Sequence, residues 1–143
     1  MIFLILFNED EKRKIIMDYY INRRNRVDEF NNPNYESVYL HSSSCVDEIK
    51  LFFNHDKTDF KFISQGCAIF LSSCEIFIEE IKNKGFKNND RLIKSYENLV
   101  NKIEIPDEEK EYLGKLNIYE NVSNHLNRKE CALMICNTFK KIK

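Results

Sequence analysis

The segment from residue 35 to residue 104 most constrains the fold of this chain, because it contains no Pro and only two Gly. Its apolar residues recur at intervals of three and four, which is the spacing of one face of a helix. Turns and irregular loops rely on Gly and Pro, yet the whole chain of 143 residues has only 3 Gly and 2 Pro. The segment therefore predicts helices joined by short connections.

The most apolar part of this segment, residues 58–84, predicts a central helix. Phe70 and Phe77 are seven residues apart, and so are Cys67 and Cys74. A seven-residue interval places side chains on nearly the same helix face, which here is apolar and wide enough to be surrounded by other elements. We therefore predict that both cysteines are core residues of this helix.

Five further helices are predicted around the central one. They lie at residues 10–30, 35–54, 88–103, 106–126 and from 127 to the C-terminal end. Pro106 precedes three acidic residues, which is a strong signal for a helix start, and Gly85 follows Lys82 and Lys84 as a predicted C-terminal cap. The predicted fold class is all-α, with one domain over residues 1–143 built as a bundle of six helices.

Composition limits the class of partner and the compartment. A formal net charge of -1 gives no general attraction to nucleic acid or to a membrane surface. The five cysteines are an odd number, and most fall in apolar stripes, which favours a reducing compartment over a disulfide framework. The apolar run at residues 1–7 is far too short to span a membrane. We therefore expect a cytoplasmic protein.

Signals for catalysis or cofactors are weak. His41 and Cys45 are four residues apart, so one helix would let both reach one metal ion, but His55, His125, Cys131 and Cys136 are scattered and supply no companion pair. The chain has no Gly-rich phosphate loop, and no His follows an Arg at the spacing typical of helical ribonucleases of bacterial defence systems. We predict no catalytic residue, no metal and no cofactor.

One basic group straddles the turn after the central helix. Lys84, Lys87, Arg91 and Lys94 would surround the start of the next helix, where main-chain N–H groups attract phosphate. The simpler interpretation of this group is a solvated turn. This group is the candidate anion contact, and it supports the alternative function of a nucleic-acid-binding helical subunit.

A short motif resembles a viral family. Residues 18–25, with the sequence DYYINRRN, are similar to the first-helix pattern Tyr-Ile-x-Trp-Arg-Asn of the poxvirus Bcl-2-like proteins. The chain departs from the pattern at Arg23, where the family often has Trp, and it lacks the Asn-Trp-Gly-Arg type of motif of members that block apoptosis. The length of the chain, the helical plan and the apolar central helix agree with that family.

This resemblance implies a Bcl-2-like fold with a groove between the second helix and the central one. Tyr39, Phe52, Phe53 and Phe70 are the candidates to line it, although each fits a plain core position as well. The implied function is non-enzymatic: binding of a host protein in the host cytoplasm, as a viral or phage antagonist of apoptosis or innate immune signalling. Whether the protein forms a homodimer is left open by the sequence. A metal-dependent or ribonuclease-like enzyme is the third alternative.

Overall fold

A computed structural model describes residues 7–43, 47–122 and 126–142. The described chain forms five α-helices, three β-strands and two 3-10 segments. In chain order these are α1 (Glu9–Ile21), β1 (Tyr35–His41), β2 (Glu48–Asn54), β3 (Phe60–Gln65), α2 (Ala68–Lys84), a 3-10 turn (Phe86–Asn88), α3 (Asn89–Val100), α4 (Asp107–Leu113), a second 3-10 segment (Gly114–Tyr119) and α5 (Leu126–Phe139).

The prediction of an all-α fold is wrong, because the three strands form an antiparallel sheet with the order β1-β2-β3. The predicted second helix at residues 35–54 is the β1–β2 hairpin, in which Val38 pairs with Leu51. The first part of the predicted central helix is β3, in which Phe62 pairs with Leu51. The fold is mixed α/β.

Alternation of buried residues explains why this segment forms strands. Ile49, Leu51 and Phe53 are buried on β2, and Phe60 and Phe62 are buried on β3, each separated by one residue that is more exposed. A period of two puts these side chains on one face of the sheet, which packs on the helices. The helical spacing of the same segment is a coincidence of its high apolar content.

The β2–β3 turn forms without Gly or Pro. The main-chain N–H of Lys57 donates to the carbonyl of Asn54 at 3.0 Å, and Lys57 has a left-handed φ of 56°. The Asn54 side chain accepts hydrogen bonds from the N–H groups of Thr58 and Asp59 at 2.8 and 3.0 Å. Asn supplies side-chain turn bonds of this kind, so scarcity of Gly and Pro does not exclude a hairpin.

Helix α2 forms the centre of the helical layer, as predicted, although it begins ten residues later than expected. It packs against α1 and α5, and Cys74, Phe77 and Ile81 are fully buried. The predicted cap at Gly85 is confirmed: its φ is 91°, and its N–H donates to the carbonyl of Ile81 at 2.8 Å.

The segment after α1 is extended and joins the sheet, whereas the sequence predicted helix to residue 30. The N–H of Phe62 donates to the carbonyl of Asn25 at 3.1 Å, and the N–H of Val27 donates to the carbonyl of Phe62 at 2.9 Å. Residues 25–27 therefore lie along β3 on the side opposite β2, in a parallel bridge centred on Arg26.

The later helices agree better with the sequence. Leu92, Tyr96 and Leu99 are buried on α3, as their stripe predicts. Pro106 caps α4, which begins with three acidic residues. The predicted fifth helix is interrupted at Gly114, where φ is 55° and a 3-10 segment begins.

None of the helices in the described part of the chain combines the length and the apolar character needed to cross a bilayer. Residues 1–6 of the N-terminal apolar run lie outside the described residues, and Phe7 packs against the core.

Candidate metal centre

Three side chains with metal-binding atoms meet where the sheet joins the helices. Asp47 immediately precedes β2, Cys67 immediately precedes α2, and Cys131 lies on α5. A carboxylate oxygen of Asp47 and the two Sγ atoms all lie within 4.8 Å of one another. Residues separated by 20 and 64 positions in sequence are thus brought together by the fold.

Asp47 is buried and only partly hydrogen-bonded. Its side chain accepts a hydrogen bond at Oδ1 from the main-chain N–H of Cys67 at 3.3 Å, while Oδ2 is buried and has no hydrogen-bond partner among the described residues. A buried carboxylate oxygen without a partner is costly, and a bound cation would satisfy it. Asp47 therefore fits the role of a ligand.

Gly66 makes the approach of Asp47 to Cys67 sterically feasible. A β-carbon at this position would lie 2.5 Å from Asp47 Oδ1 and would also overlap the ring of Phe70. At these distances the Asp47 carboxylate and the Phe70 ring would have to shift. Gly66 is needed here for close approach of groups rather than for an unusual φ.

Cys67 is the exposed thiol of the group. It is the N-cap of α2, and its Sγ accepts a hydrogen bond from the N–H of Phe70 at 3.5 Å. The sulfur therefore lies at the N-terminal end of the helix, where main-chain N–H groups are free to donate. The prediction that Cys67 is a core residue is wrong, whereas Cys74 is buried as predicted.

Cys131 is the buried thiol of the group. Burial raises the pKa of Cys131 far above its usual value, and the nearby Asp47 and Cys67 raise the pKa further. In the metal-free protein this thiol keeps its proton at neutral pH. Binding of a metal ion must therefore release a proton from Cys131.

This donor set fits zinc. Zn²⁺ prefers thiolate, imidazole and carboxylate ligands in tetrahedral geometry, with Zn–S distances of about 2.3 Å and hence ligand atoms about 3.5–4 Å apart. The three atoms, which all lie within 4.8 Å of one another, are close to that spacing. Cys45 precedes Asp47 by two positions in the sequence but lies outside the described residues.

An open groove adjoins the exposed thiol. It has a volume of about 390 Å³ and is lined mainly by apolar groups of α1 and by the start of α2, with two arginines beside them. Its lining residues are Arg13, Ile16, Met17, Cys67, Ala68, Ile69 and Arg128. A second molecule can therefore approach Cys67 from solvent.

The four predicted groove residues do not line one surface. Tyr39 is exposed and Phe52 is half-buried on the sheet face that points away from the helices. Phe53 and Phe70 are buried in the core. The predicted groove between two helices has no counterpart among the described elements, because β1 and β2 lie where the second helix was predicted. Binding by these four residues stays a prediction.

The predicted anion contacts lie around the α2–α3 junction, where acidic and aromatic groups accompany two of them. Lys84 pairs with Glu80, and Arg91 pairs with Glu109 at 2.7 Å. Both cations also lie over the ring of Tyr112. The bond to Glu109 raises the pKa of Arg91. Anion binding by Lys84, Lys87, Arg91 and Lys94 stays a prediction.

Asp47 was not predicted as a site residue, and Cys67 was not predicted to lie beside Cys131. His41 is exposed at the end of β1, and its proposed companion Cys45 lies outside the described residues. The ligands share no local spacing such as C-x2-C, so only the fold unites them. The sequence signals were Gly66 directly before a cysteine and an acidic residue two positions after Cys45.

Comparison with known proteins shows the family to which the chain belongs. The model of the NifU-like N-terminal domain family matches residues 11–132. The zinc-dependent sulfurtransferase SufU of Bacillus subtilis is 28% identical over 132 residues, which cover 85% of this chain and 82% of that protein.

Solved structures show the same fold. A putative iron-sulfur cluster assembly scaffold protein for the SUF system of Fervidobacterium islandicum is 28% identical, with a TM-score of 0.74 over 94% of this chain and 93% of that chain. An N-terminal NifU-like protein of Brucella abortus is 14% identical, with a TM-score of 0.71 over 87% of this chain and 86% of that chain, and it shows the fold alone.

These matches correct the functional predictions. The resemblance to poxvirus Bcl-2-like proteins is wrong, and so are the predicted role as a host-defence antagonist and the predicted host-protein partner. The short motif at residues 18–25 lies at the end of α1 and in the segment that follows it, and the next element is a strand rather than the second helix of a groove. The family match covers most of the sequence, and the chain therefore belongs to the NifU-like N-terminal domain family.

Proposed function

We propose that this protein binds one zinc ion through Asp47, Cys67 and Cys131 and receives sulfur for iron–sulfur cluster assembly. The observation that carries the proposal is the convergence of one carboxylate and two thiols within 4.8 Å. The names of the Bacillus and Fervidobacterium relatives, a zinc-dependent sulfurtransferase and a cluster assembly scaffold, support the same chemistry.

Zinc would act at this site through its positive charge. Zn²⁺ has no redox chemistry of its own, and it keeps coordinating thiols deprotonated at neutral pH. Asp47 contributes a hard oxygen ligand from a buried position, and Cys131 contributes a buried sulfur. Zinc commonly has four ligands. Cys45, a neighbour of Asp47 in the sequence, is the candidate from this chain for the fourth.

The sulfur donor is a partner that carries a cysteine persulfide. A thiolate of the site attacks the outer sulfur of the donor persulfide, and a new S–S bond forms as the donor S–S bond breaks. The donor leaves as a thiolate and the acceptor cysteine becomes a persulfide, so no external oxidant or reductant is needed. Cys67 is exposed and Cys131 is buried, so of these two thiols Cys67 is the acceptor. Cys45, the candidate fourth ligand, is the other candidate acceptor.

The test has two parts. Zinc content and affinity are measured for the wild type and for Asp47→Asn, Cys67→Ser and Cys131→Ser, with Cys136→Ser as the control because that buried thiol lies outside the cluster on the same helix. We expect one zinc per wild-type chain, a large loss of affinity in the three ligand variants and none in the control.

The second part follows sulfur. Wild-type protein is treated with a persulfide donor, and mass spectrometry of its peptides locates the cysteine that gains one sulfur atom. We expect the added sulfur on Cys67 or Cys45. The proposal fails if the wild type binds no zinc and gains no sulfur at these positions.

A second candidate function is to act as a scaffold on which an iron–sulfur cluster is assembled and passed on. The observation that favours it is the exposure of Cys67 beside an open groove, which would let a cluster leave. Anaerobic incubation of the metal-free protein with ferrous iron and sulfide tests this function. Visible absorption of a bound cluster that is lost in Cys67→Ser would support it, and its absence would leave sulfur transfer as the function.

A further inference from the structure

The metal ligands come from separate elements, so their spacing depends on contacts between those elements. Asp47 ends the connection between β1 and β2, while Cys131 lies near the start of α5. The helix α5 and strand β1 are in contact. A residue that bonds to both sides of this junction would control how Asp47 and Cys131 face each other.

Ser42 makes such contacts. Its main-chain N–H donates to the carbonyl of Asp47 at 2.9 Å, which draws together the two ends of the connection between the strands. Its side-chain Oγ donates to Oε1 of Glu130 at 2.8 Å. Ser42 is only 4% exposed, so these bonds are shielded from competing water.

Glu130 immediately precedes Cys131 and is half-buried. Ser42 is thus bonded to the ligand Asp47 through its main chain and to the neighbour of the ligand Cys131 through its side chain. Groups that hold metal ligands in place without touching the metal commonly change metal affinity by about 10- to 100-fold when they are removed.

We propose that Ser42 and Glu130 form a positioning pair that sets the separation of Asp47 and Cys131. The inference rests on the proposed function, because it requires that these ligands bind zinc. Neither residue of the pair contacts the metal. The pair acts by joining the connection between β1 and β2 to the start of α5.

The Ser42–Glu130 bond can be removed from either side. Ser42→Ala removes the donor and Glu130→Ala removes the acceptor, whereas Glu130→Gln keeps an oxygen acceptor and removes only the charge. Ser37→Ala is the control, because Ser37 is an exposed serine on β1, the strand that ends directly before Ser42. Zinc affinity is measured by competition with a chromogenic chelator at fixed pH, and thermal unfolding of each metal-free variant is recorded in parallel.

We expect zinc affinity to fall by about tenfold in Ser42→Ala and in Glu130→Ala. The loss in the double variant should be clearly smaller than the sum of the two single losses, because both changes remove the hydrogen bond that the two residues share. Glu130→Gln and Ser37→Ala should keep nearly the wild-type affinity. A loss of affinity in Glu130→Gln equal to that in Glu130→Ala would instead assign the effect to charge and overturn the inference.

The inference also fails if the single variants bind zinc within about twofold of the wild type, or if their losses add in the double variant. It fails as well if the loss of affinity merely follows a loss of thermal stability in the metal-free protein. Wild-type protein that binds no zinc would refute the proposed function itself. Wild-type binding with unaffected variants would refute the positioning pair alone.

Discussion

Glu75 on α2 accepts a hydrogen bond from the main-chain N–H of Asn25 at 2.9 Å. The same carboxylate accepts hydrogen bonds from the N–H of Arg24 at 2.8 Å and from the side-chain amide of Asn25 at 3.2 Å. Glu75 is 1% exposed. It therefore holds the segment between α1 and the sheet by satisfying main-chain donors that have little access to water.

Glu75→Ala should therefore destabilise the protein strongly. Each buried donor left without a partner costs about 1–3 kcal/mol, so we expect a loss of more than about 3 kcal/mol in the free energy of unfolding. Urea unfolding followed by circular dichroism measures it. Glu36→Ala, at an exposed position on β1, is the control and should change stability by less than about 0.5 kcal/mol. A small effect at Glu75 would contradict this role.

Zinc should stabilise the wild type and not the Cys131→Ser variant. A ligand that binds only the folded state adds about 2.7 kcal/mol at a free concentration 100 times its dissociation constant. Thermal unfolding with and without added zinc measures the gain. Cys136→Ser, which removes a buried thiol outside the cluster, should lose stability and keep the gain from zinc. A zinc response that survives in Cys131→Ser would remove Cys131 from the ligand set.

Gly66→Ala should weaken zinc binding. The added β-carbon would lie 2.5 Å from Asp47 Oδ1, so the carboxylate must move away from Cys67. Overpacking of a buried position also costs about 1–3 kcal/mol of stability. Competition titration with a chelator measures the affinity, and urea unfolding measures the stability. Wild-type affinity in Gly66→Ala would show that the carboxylate does not need this space.

The contribution of Glu109 to stability should depend on pH. Hydrogen bonds from Arg91 and Ser95 lower the pKa of Glu109 below its usual value of 4.5. The folded state therefore favours the ionised form, and this stabilisation is complete above the unfolded pKa and is lost as pH falls through the folded pKa. Glu109→Gln should cost about 1 kcal/mol at pH 7, because the ion pair is partly exposed.

Unfolding of the wild type and of Glu109→Gln is compared between neutral pH and acid. The difference in their free energies of unfolding should shrink only below about pH 4.5, where the unfolded state begins to bind a proton at Glu109 while the folded state still keeps it ionised. The ion pair of Lys140 and Glu97 lies on another part of the helical layer, and its removal, measured over the same pH range, is the control. A difference that stays constant into acid would show that the charge of Glu109 does not matter for stability.

Helices with local signals could be predicted from the sequence. The cap at Gly85, the acidic start after Pro106 and the stripe on α3 depend on neighbouring residues, and they are present in the structure. The sheet could not be separated from helix by spacing, because Ile49 and Phe53, which are four residues apart, satisfy a helical period as well as a strand period. The alternation of apolar residues at Phe60 and Phe62 indicated a strand more reliably. It is too short to be seen when periodicity is judged over longer windows.

The candidate site was less accessible to sequence reasoning than the fold. Asp47, Cys67 and Cys131 approach each other only after the hairpin places Asp47 beside the start of α2 and α5 packs against α2. Treating residues 35–84 as two helices put Cys67 inside a core stripe, where a thiol has no chemistry. The error in the fold therefore caused the error in the function.

Residues 25–27 have a further consequence for association between molecules. Because their main chain is bonded to Phe62, an extended peptide cannot add to β3 of the described sheet without displacing them. The opposite edge is β1, where Lys141 donates from Nζ to the carbonyl of Tyr39 at 2.9 Å. Covered strands and edge lysines are two means by which proteins avoid strand addition. Unfolding confined to the segment that Glu75 holds would therefore expose a strand edge, which makes this segment a point at which self-association can begin.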